Sequence, residues 1–327
     1  MASKNESIVK EFILLGLSSN PQTQIILFVV FSLIYLFILI GNFLFIAVCI
    51  THRNLQTPMY FFIANLSLVD ICYSSSIVPR MLKDFLSTKK SISFQECATQ
   101  MYMALSLGEA ECILLAIMAY DRYVAICYPL RYTTIINRSV CVKIVISTWI
   151  CGFLIAIPHV GLTMKIKLCG NNKINHFVCE FPGLVALGCG DLSAIELFNF
   201  VACVVVLTIP VTFITTSYIL IISAILKITS SAGKQKAIST CGSHLTAVTL
   251  FYGSAMTTYM KPKSSSSSHS DMIIAVFYTI ITPMLNPLIY TLRNEEVKTA
   301  LQKTKFLKIR YIFPASFGIQ RKQLRLK

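Results

Sequence analysis

The sequence predicts an all-α membrane protein, a bundle of seven transmembrane helices with the N-terminus outside the cell and the C-terminus in the cytoplasm. Two observations lead to this fold class: seven long apolar stretches, and an excess of basic residues in alternate connections between them. Hydrophobic residues make up 55% of the 327 residues and charged residues 13%. A bilayer cannot hydrogen-bond an open backbone and admits only helices or closed barrels. These stretches are far too long for barrel strands.

The seven stretches are separated by short, more polar connections. The first contains 26 residues without a charge, whereas a helix needs only about 20 apolar residues to cross a bilayer. The same criterion predicts spans at 25–50, 55–79, 97–120, 144–164, 197–226, 237–260 and 272–292. The chain is thereby divided into an extracellular N-terminus (1–24), a seven-helix bundle (25–292) and a basic cytoplasmic tail (293–327).

The connections differ in charge, which predicts the orientation. One set contains 17 Lys and Arg residues against two acids, in 51–57, 128–143, 227–236 and 293–327. The other contains 11 basic against 8 acidic residues, in 1–24, 80–96, 165–196 and 261–271. Because basic residues accumulate on the cytoplasmic side, the first set is expected inside the cell. The formal net charge of +15 therefore favours membrane lipids with anionic headgroups and an acidic protein as partners, and no nucleic acid is expected.

Four of the twelve cysteines lie in the segments predicted to be extracellular: Cys97, Cys169, Cys179 and Cys189. That side of the membrane is oxidising, so two disulfides are expected, and the spacing leaves all three pairings open. Asn5 begins the triplet Asn-Glu-Ser on the same side and is predicted to carry an N-linked glycan.

Motifs typical of enzymes are missing from the sequence. It contains no GxxxxGK[ST], HExxH, GxSxG or complete GxGxxG pattern, so neither an enzyme nor an organic cofactor is expected. A transporter is expected to show related halves, and a channel a repeated filter or ring of charges. Neither pattern is present, and a transporter or channel remains the less favoured class.

Charged residues of the spans are few: Asp70, Glu109 and Glu111, with the pair Asp121 and Arg122 near the inner boundary of the third span. Each is costly in a bilayer and is expected to face protein or water. An isolated Arg122 would be explained by a side chain that reaches the cytoplasmic interface beside Asp121. The motifs around it indicate a more specific role.

Asp121-Arg122-Tyr123 ends the third span, and Asn286-Pro287-Leu288-Ile289-Tyr290 ends the seventh. Together they resemble the rhodopsin-like G-protein-coupled receptors. The finer pattern resembles one branch, the olfactory receptors, over nearly the whole chain. It is carried by MAYDRYVAIC at 118–127, KAISTC at 236–241, FYG at 251–253 and PMLNPLIYTLRN at 283–294. The chain departs from that pattern at Gln56, Tyr128 and Arg131 on the inner side.

The resemblance implies a receptor of the plasma membrane that binds a small volatile molecule in the outer half of the bundle. Binding would activate a stimulatory G protein and raise cAMP. The alternative in the same architecture is a receptor for an endogenous metabolite outside the nose. The implied ligand-binding residues are Ala104, Leu105, Gly108, Glu109, Ala202, Val206, Tyr252, Ala255, Tyr259 and Thr279. For each apolar member, ordinary helix packing is the competing interpretation.

The resemblance also implies a switch for the G protein, in which Asp121 holds Arg122 at rest and releases it on activation. The implied switch residues are Asp121, Arg122, Tyr123, Tyr218, Asn286, Pro287 and Tyr290. The implied disulfides are Cys97–Cys179 and Cys169–Cys189.

Asp70 and Glu111 are implied to lie together, near Asn42 and Asn286, at a sodium site. Two close carboxylates cannot both stay ionised unless a cation or a proton lies between them. The alternative is a pair of neutral, hydrogen-bonded acids.

Glu109 lies two residues from Glu111, about 200° around the helix, so the two acids are not expected to share a site. If Glu109 faces the ligand pocket, its ionised form favours an amine, and its protonated form donates a hydrogen bond to a carbonyl or alcohol. Otherwise it turns towards a polar group on the fourth or fifth helix.

Overall fold

A computed structural model describes residues 11–169, 172–227, 229–260, 268–292, 296–300 and 302. Seven long helices lie within the described residues and confirm the predicted fold class. They are α1 (Pro21–Thr51), α2 (Pro58–Leu86), α3 (Phe94–Cys127), α4 (Arg138–Thr163), α5 (Ser193–Cys203, the π-helical turn Val204–Thr208 and Ile209–Leu226), α6 (Ser231–Tyr259) and α7 (Ser268–Val276, the π-helical turn Phe277–Ile281 and Thr282–Leu292). Residues 296–300 are also helical.

Six of these helices are long and apolar enough to cross a membrane, and α6 is the exception. Its 29 residues suffice to cross a bilayer, but serine, threonine and glycine dilute its apolar residues. Short helices lie in the connections, at Arg53–Leu55, Pro129–Arg131, Tyr132–Ile135 and Phe181–Val185.

Specific residues fix where the helices begin, and most begin outside the predicted apolar stretch. The side chain of Asn20 accepts hydrogen bonds from the backbone of Gln22 and Thr23, so α1 begins at Pro21 rather than at residue 25. Ser93 and Glu96 form a reciprocal capping box at the start of α3. The length of each apolar stretch therefore predicted the part of the helix that lies in the membrane. Polar capping residues extend the helices beyond that part into water.

Helix α3 is the centre of the bundle and packs against α2, α4 and α5. Its contact with α4 depends on Gly152, where an added Cβ would lie 2.5 Å from the carbonyl oxygen of Ser106. The buried residues Leu107, Leu114 and Met118 of α3 belong to the main apolar core. The outer sides of α1, α4 and α5 expose large apolar side chains, as expected for helices that face lipid.

A three-stranded sheet covers the extracellular end of the bundle. It contains β1 (Glu11–Leu14), β2 (Ser91–Ser93) and β3 (Lys173–Ile174), in the order β2-β1-β3. Strand β1 is antiparallel to β2 and parallel to β3. Phe12 and Leu14 of β1 are completely buried. Part of the segment 1–24 is thus folded onto the bundle, which its polar composition did not predict.

Two disulfides hold the second extracellular loop, which connects α4 to α5. Cys97 at the start of α3 is bonded to Cys179, and Cys169 is bonded to Cys189. These are the pairs that the resemblance implies.

Asn5, with the predicted glycan, and residues 303–327, which contain most of the basic tail, lie outside the described residues.

The two disulfides are expected to contribute unequally to stability. Cys97–Cys179 closes a sequence separation of 82 residues and Cys169–Cys189 one of 20. In the loop-entropy description the longer closure stabilises by about 1 kcal/mol more. We expect Cys97→Ser to lower the melting temperature and the cell-surface level of the protein more than Cys169→Ser. Equal losses, or free Cys97 thiol in a non-reduced peptide map of the unmodified chain, would contradict this.

Candidate functional site

A cavity lies between the outer parts of the helices, beneath the second extracellular loop. Its empty space is about 800 Å³, including solvent at its mouth. Residues of α2, α3, α5, α6 and α7 and of the loop line the cavity, and α4 contributes one residue, His159. The lining residues are Tyr73, Met101, Ala104, Leu105, Gly108, Glu109, Cys112, His159, Cys179, Glu180, Phe181, Asn199, Cys203, Val206, Leu207, Phe251, Ala255, Tyr259 and Tyr278.

Seven of the ten residues implied as ligand-binding line this cavity: Ala104, Leu105, Gly108, Glu109, Val206, Ala255 and Tyr259. The α3 members recur at helical spacing and therefore share one face. An added Cβ at Gly108 would meet no atom within 4 Å, so this position leaves the space open.

The other three implied residues do not line the cavity. Tyr252 is buried between helices, where its hydroxyl donates a hydrogen bond of 2.8 Å to the carbonyl of Cys112. Thr279 is completely buried, and its hydroxyl donates to the carbonyl of Ala275 at 2.6 Å. On α5 the adjacent Cys203 faces the cavity in place of Ala202, because one residue turns the helix by about 100°.

Glu109 faces the cavity and also a polar partner on α4. Its Oε1 atom lies 3.5 Å from Nδ1 of His159, and both side chains are 6% exposed. This is an ion-pair distance without hydrogen-bond geometry, and Oε2 of Glu109 has no partner among the described residues. The two orientations predicted for Glu109 are therefore combined: one oxygen points to the fourth helix and the other is free to accept a hydrogen bond.

Glu180 brings a second acid to the cavity from the extracellular loop. The hydroxyl of Tyr278 donates hydrogen bonds to both of its carboxylate oxygens, at 2.8 and 2.9 Å. The rings of Tyr278 and Tyr259 lie 6.1 Å apart. Sequence reasoning missed Glu180 and His159. The signals were present, since Glu180 follows a disulfide cysteine and His159 is a histidine within an apolar span.

At the cytoplasmic end, the structure corrects the predicted pairing of Asp121 with Arg122. Asp121 accepts a hydrogen bond of 2.7 Å from the hydroxyl of Tyr132, and Arg122 donates to the carbonyl of Met118 at 3.1 Å. No ion pair joins the two within the part of the chain that the structure describes. Burial raises the pKa of Tyr132 well above its ordinary value, and the nearby Asp121 raises it further, so Tyr132 remains a donor.

A histidine that the sequence reasoning missed joins three helices beside Arg122. Nε2 of His244 on α6 lies 3.1 Å from the carbonyl oxygen of Leu115 on α3, and Nδ1 lies 2.8 Å from the hydroxyl of Tyr218 on α5. Because a carbonyl can only accept, Nε2 carries a proton, and in the neutral ring Nδ1 then accepts from the hydroxyl of Tyr218. The hydroxyl of Tyr290 is buried without a described partner, within electrostatic range of Arg122.

Two further switch residues, Tyr123 and Pro287, make close contacts. The ring of Tyr123 meets Tyr128 edge-on at 5.7 Å. Pro287 of α7 lies against Gly41 of α1, where an added Cβ would be 3.3 Å from the proline ring. The motifs that end α3 and α7 therefore also determine packing at the inner end of the bundle.

Between the cavity and the switch lies a buried polar cluster. Nδ2 of Asn286 donates to both carboxylate oxygens of Asp70 at 3.1 Å, and Glu111 acts electrostatically on Asp70. Both oxygens of Glu111 and the amide oxygens of Asn42 and Asn286 have no donor among the described residues. Such an excess of acceptors suits a cation. Within the described residues no three His, Cys, Asp or Glu side chains could hold a metal ion, so a site here depends on two carboxylates and amide oxygens.

Comparison with known proteins identifies related chains. The family model for olfactory receptors matches residues 31–308. Olfactory receptor 5AR1 of Mus musculus is 51% identical over 305 residues, covering 93% of this chain and 98% of that protein. Olfactory receptor 13D1 of Homo sapiens is 48% identical, over 93% of this chain and 88% of that protein. Olfactory receptor-like protein OLF3 of Canis lupus familiaris is 46% identical, over 93% and 96%.

The free oxygen of Glu109 leads to a prediction about ligand recognition. We expect Glu109→Gln to retain the potency of an identified agonist within about threefold, because the amide oxygen still accepts a hydrogen bond. Glu109→Gly is expected to lower potency about tenfold through loss of that bond. Potency is measured at matched surface level. A large loss in both variants would indicate that the carboxylate binds a cation, and unchanged potency in both would remove Glu109 from the binding site.

Proposed function

The chain belongs to the olfactory receptor family, and on that basis we propose that it binds a small volatile molecule in the described cavity and activates a stimulatory G protein, which raises cAMP. Members of this family are receptors of the plasma membrane with several membrane-spanning helices, and they are not enzymes. The observation that carries the proposal is the cavity itself, which is lined by six of the seven helices and closed above by a disulfide-bonded loop.

The character of the lining supports a small, mostly apolar ligand. Apolar side chains such as Leu105, Val206 and Phe251 make up most of the surface, and Ala104 and Gly108 leave space beside them. A few polar groups converge on the same space, including Glu109 and Glu180. Apolar pockets with few, well-placed polar groups are typical of small-molecule sites.

Three helices supply a physical connection from this cavity to the cytoplasmic switch. Helix α3 carries Gly108 and Arg122, α5 carries Val206 and Tyr218, and α6 carries Ala255 and His244. A ligand that binds the active arrangement of these helices more tightly than the resting one shifts the population towards it. Movement of α6 would break or remake the His244 contacts and open space for the G protein.

The cytoplasmic surface suits the partner that we propose. The connections assigned to that side contain 17 Lys and Arg residues against two acids. This charge favours an acidic surface on the G protein and anionic lipid headgroups beside the bundle. Apolar side chains exposed on α1 and α5, including Leu33 and Ile209, face the lipid chains.

We also propose that the buried polar cluster binds Na⁺. Asp70 and Glu111 would hold the ion, together with the oxygens of Asn42 and Asn286 that have no described donor. The cation would neutralise two acids that share a low-dielectric site. Since α1, α2, α3 and α7 all contribute, an ion there stabilises one arrangement of the four helices over others.

Arg122→Ala provides a test of the receptor function. The guanidinium lies at the inner end of α3 among Tyr218, His244 and Tyr290, so its removal is expected to abolish ligand-evoked cAMP while receptor remains at the cell surface. Arg138→Ala, which removes an exposed cation at the start of α4, is the matched control and is expected to signal normally. Normal cAMP from Arg122→Ala at equal surface level would disprove its role.

The sodium site predicts a dependence on extracellular cation. Replacing sodium with N-methyl-D-glucamine is expected to change basal cAMP or agonist potency of the unmodified receptor at least about threefold, and to leave Asp70→Asn unaffected. The reason is that only the variant lacks a carboxylate needed to bind the ion. If the unmodified receptor responds identically in both media, the cluster is a pair of neutral acids instead.

A further inference from the structure

The two acids of the cavity differ in their neighbours. Oε1 of Glu109 lies 3.5 Å from Nδ1 of His159, a basic side chain on α4. Glu180 is 9% exposed and, among the described residues, accepts hydrogen bonds from the hydroxyl of Tyr278 alone. Over the described parts of the chain, no Lys, Arg or His lies within ion-pair distance of Glu180. Of these two acids, Glu180 is therefore the one without a basic side chain at ion-pair distance among the described residues.

Three tyrosines from three different helices lie around this carboxylate. Tyr73 of α2, Tyr259 of α6 and Tyr278 of α7 line the same cavity as Glu180, and Glu180 acts electrostatically on all three. The rings of Tyr259 and Tyr278 are 6.1 Å apart at an angle of 46°. Aromatic faces attract a cation within about 6 Å, and groups of such rings bind substituted ammonium ions.

The remaining surface suits a hydrocarbon. Met101, Leu105, Val206, Leu207 and Phe251 are apolar and come from α3, α5 and α6. A neutral ligand in this space would exclude water from Glu180 without supplying a positive charge, which is costly. A ligand with a cationic nitrogen at one end compensates for that loss of water.

We propose that the cavity recognises small amines, with a substituted ammonium group bound to the Glu180 carboxylate between Tyr73, Tyr259 and Tyr278, and the hydrocarbon part against α3, α5 and α6. This inference rests on the proposed function, because it assigns a ligand class to the same cavity. Glu109 and His159 form a polar pair between α3 and α4, where they accept or donate a hydrogen bond and do not bind the cation.

The test is direct binding to the purified full-length receptor, measured as ligand-induced thermal stabilisation. The probes are tertiary amines with matched neutral isosteres: N,N-dimethylcyclohexylamine with isopropylcyclohexane, and the corresponding hexyl and benzyl pairs. We expect amines to bind at least about 30-fold more tightly than their isosteres, as for other buried charge pairs. If no amine in the panel binds more tightly than its isostere, the proposal is wrong.

Variants distinguish binding by Glu180 from a purely structural bond to Tyr278. Glu180→Gln is expected to lower amine affinity at least about 30-fold. Tyr259→Leu is expected to lower it about 2- to 30-fold through loss of one aromatic face. Tyr278→Phe keeps the ring and frees the carboxylate, so amine affinity is expected within about threefold of the unmodified receptor. Equal losses in Glu180→Gln and Tyr278→Phe would mean that their hydrogen bond only holds the loop.

One matched control and one competing variant test the position of the cation. Asp191→Asn removes an exposed extracellular acid that does not line the cavity and is expected to leave amine affinity unchanged. Glu109→Gln tests the other acid of the cavity, and its readout is the preference for amines over their neutral isosteres. If Glu109→Gln abolishes that preference and Glu180→Gln does not, the proposed position is wrong.

Binding and signalling separate this inference from the proposed function. Tight amine binding with no cAMP response to any ligand would uphold the inference and contradict the proposed signalling. A cAMP response to neutral odorants without amine binding would uphold the signalling and contradict the inference.

Discussion

Inside a bilayer the chain must supply hydrogen-bond partners for its own polar groups, and this requirement connects the helices of the bundle. Asn42 of α1 donates to the carbonyl of Pro283 on α7 at 3.2 Å. Tyr252 of α6 donates to Cys112 of α3, and His244 joins α6 to both α3 and α5. Few buried polar atoms lack a described partner, and most of these lie in the cavity, the Asp70 cluster or the region around Arg122. In the three regions assigned a function, these polar atoms are thus available for a hydrogen bond to a ligand, an ion or a side chain that moves.

Helix α3 brings these three regions into one line. Glu109 lies at the cavity, Glu111 in the buried cluster and Arg122 at the inner end. The helix is fixed at its outer end by Cys97 and pressed against α4 at Gly152. Because α3 is held at these two points, α5, α6 and α7 can move relative to it.

The π-helical turns occur in α5 and α7. Each turn contributes a residue to the cavity wall, Leu207 in α5 and Tyr278 in α7.

The membrane-embedded fold was predictable, because lipid requires long apolar stretches and the cytoplasm retains basic connections. Helix ends were less predictable, since caps such as Asn20 and Ser93 act in water outside the apolar stretch. The α3 side of the cavity followed from the family resemblance, and helical spacing places its residues on one face. The positions of Glu180 and His159 did not, because each depends on how separate segments are rotated and joined in space. The expected contact of Asp121 with Arg122 is replaced by one with Tyr132, which shows that adjacency in sequence does not determine the partner of a side chain.

Strand β1 has a consequence for how the protein is made. It is synthesised before every helix, yet its partners β2 and β3 are about 80 and 160 residues later in the chain. The first segment must therefore cross the membrane and wait in the lumen, with Phe12 and Leu14 uncovered, until the fourth helix has been inserted and the second loop has been translocated. The burial of these two side chains then marks a chain whose outer surface is complete.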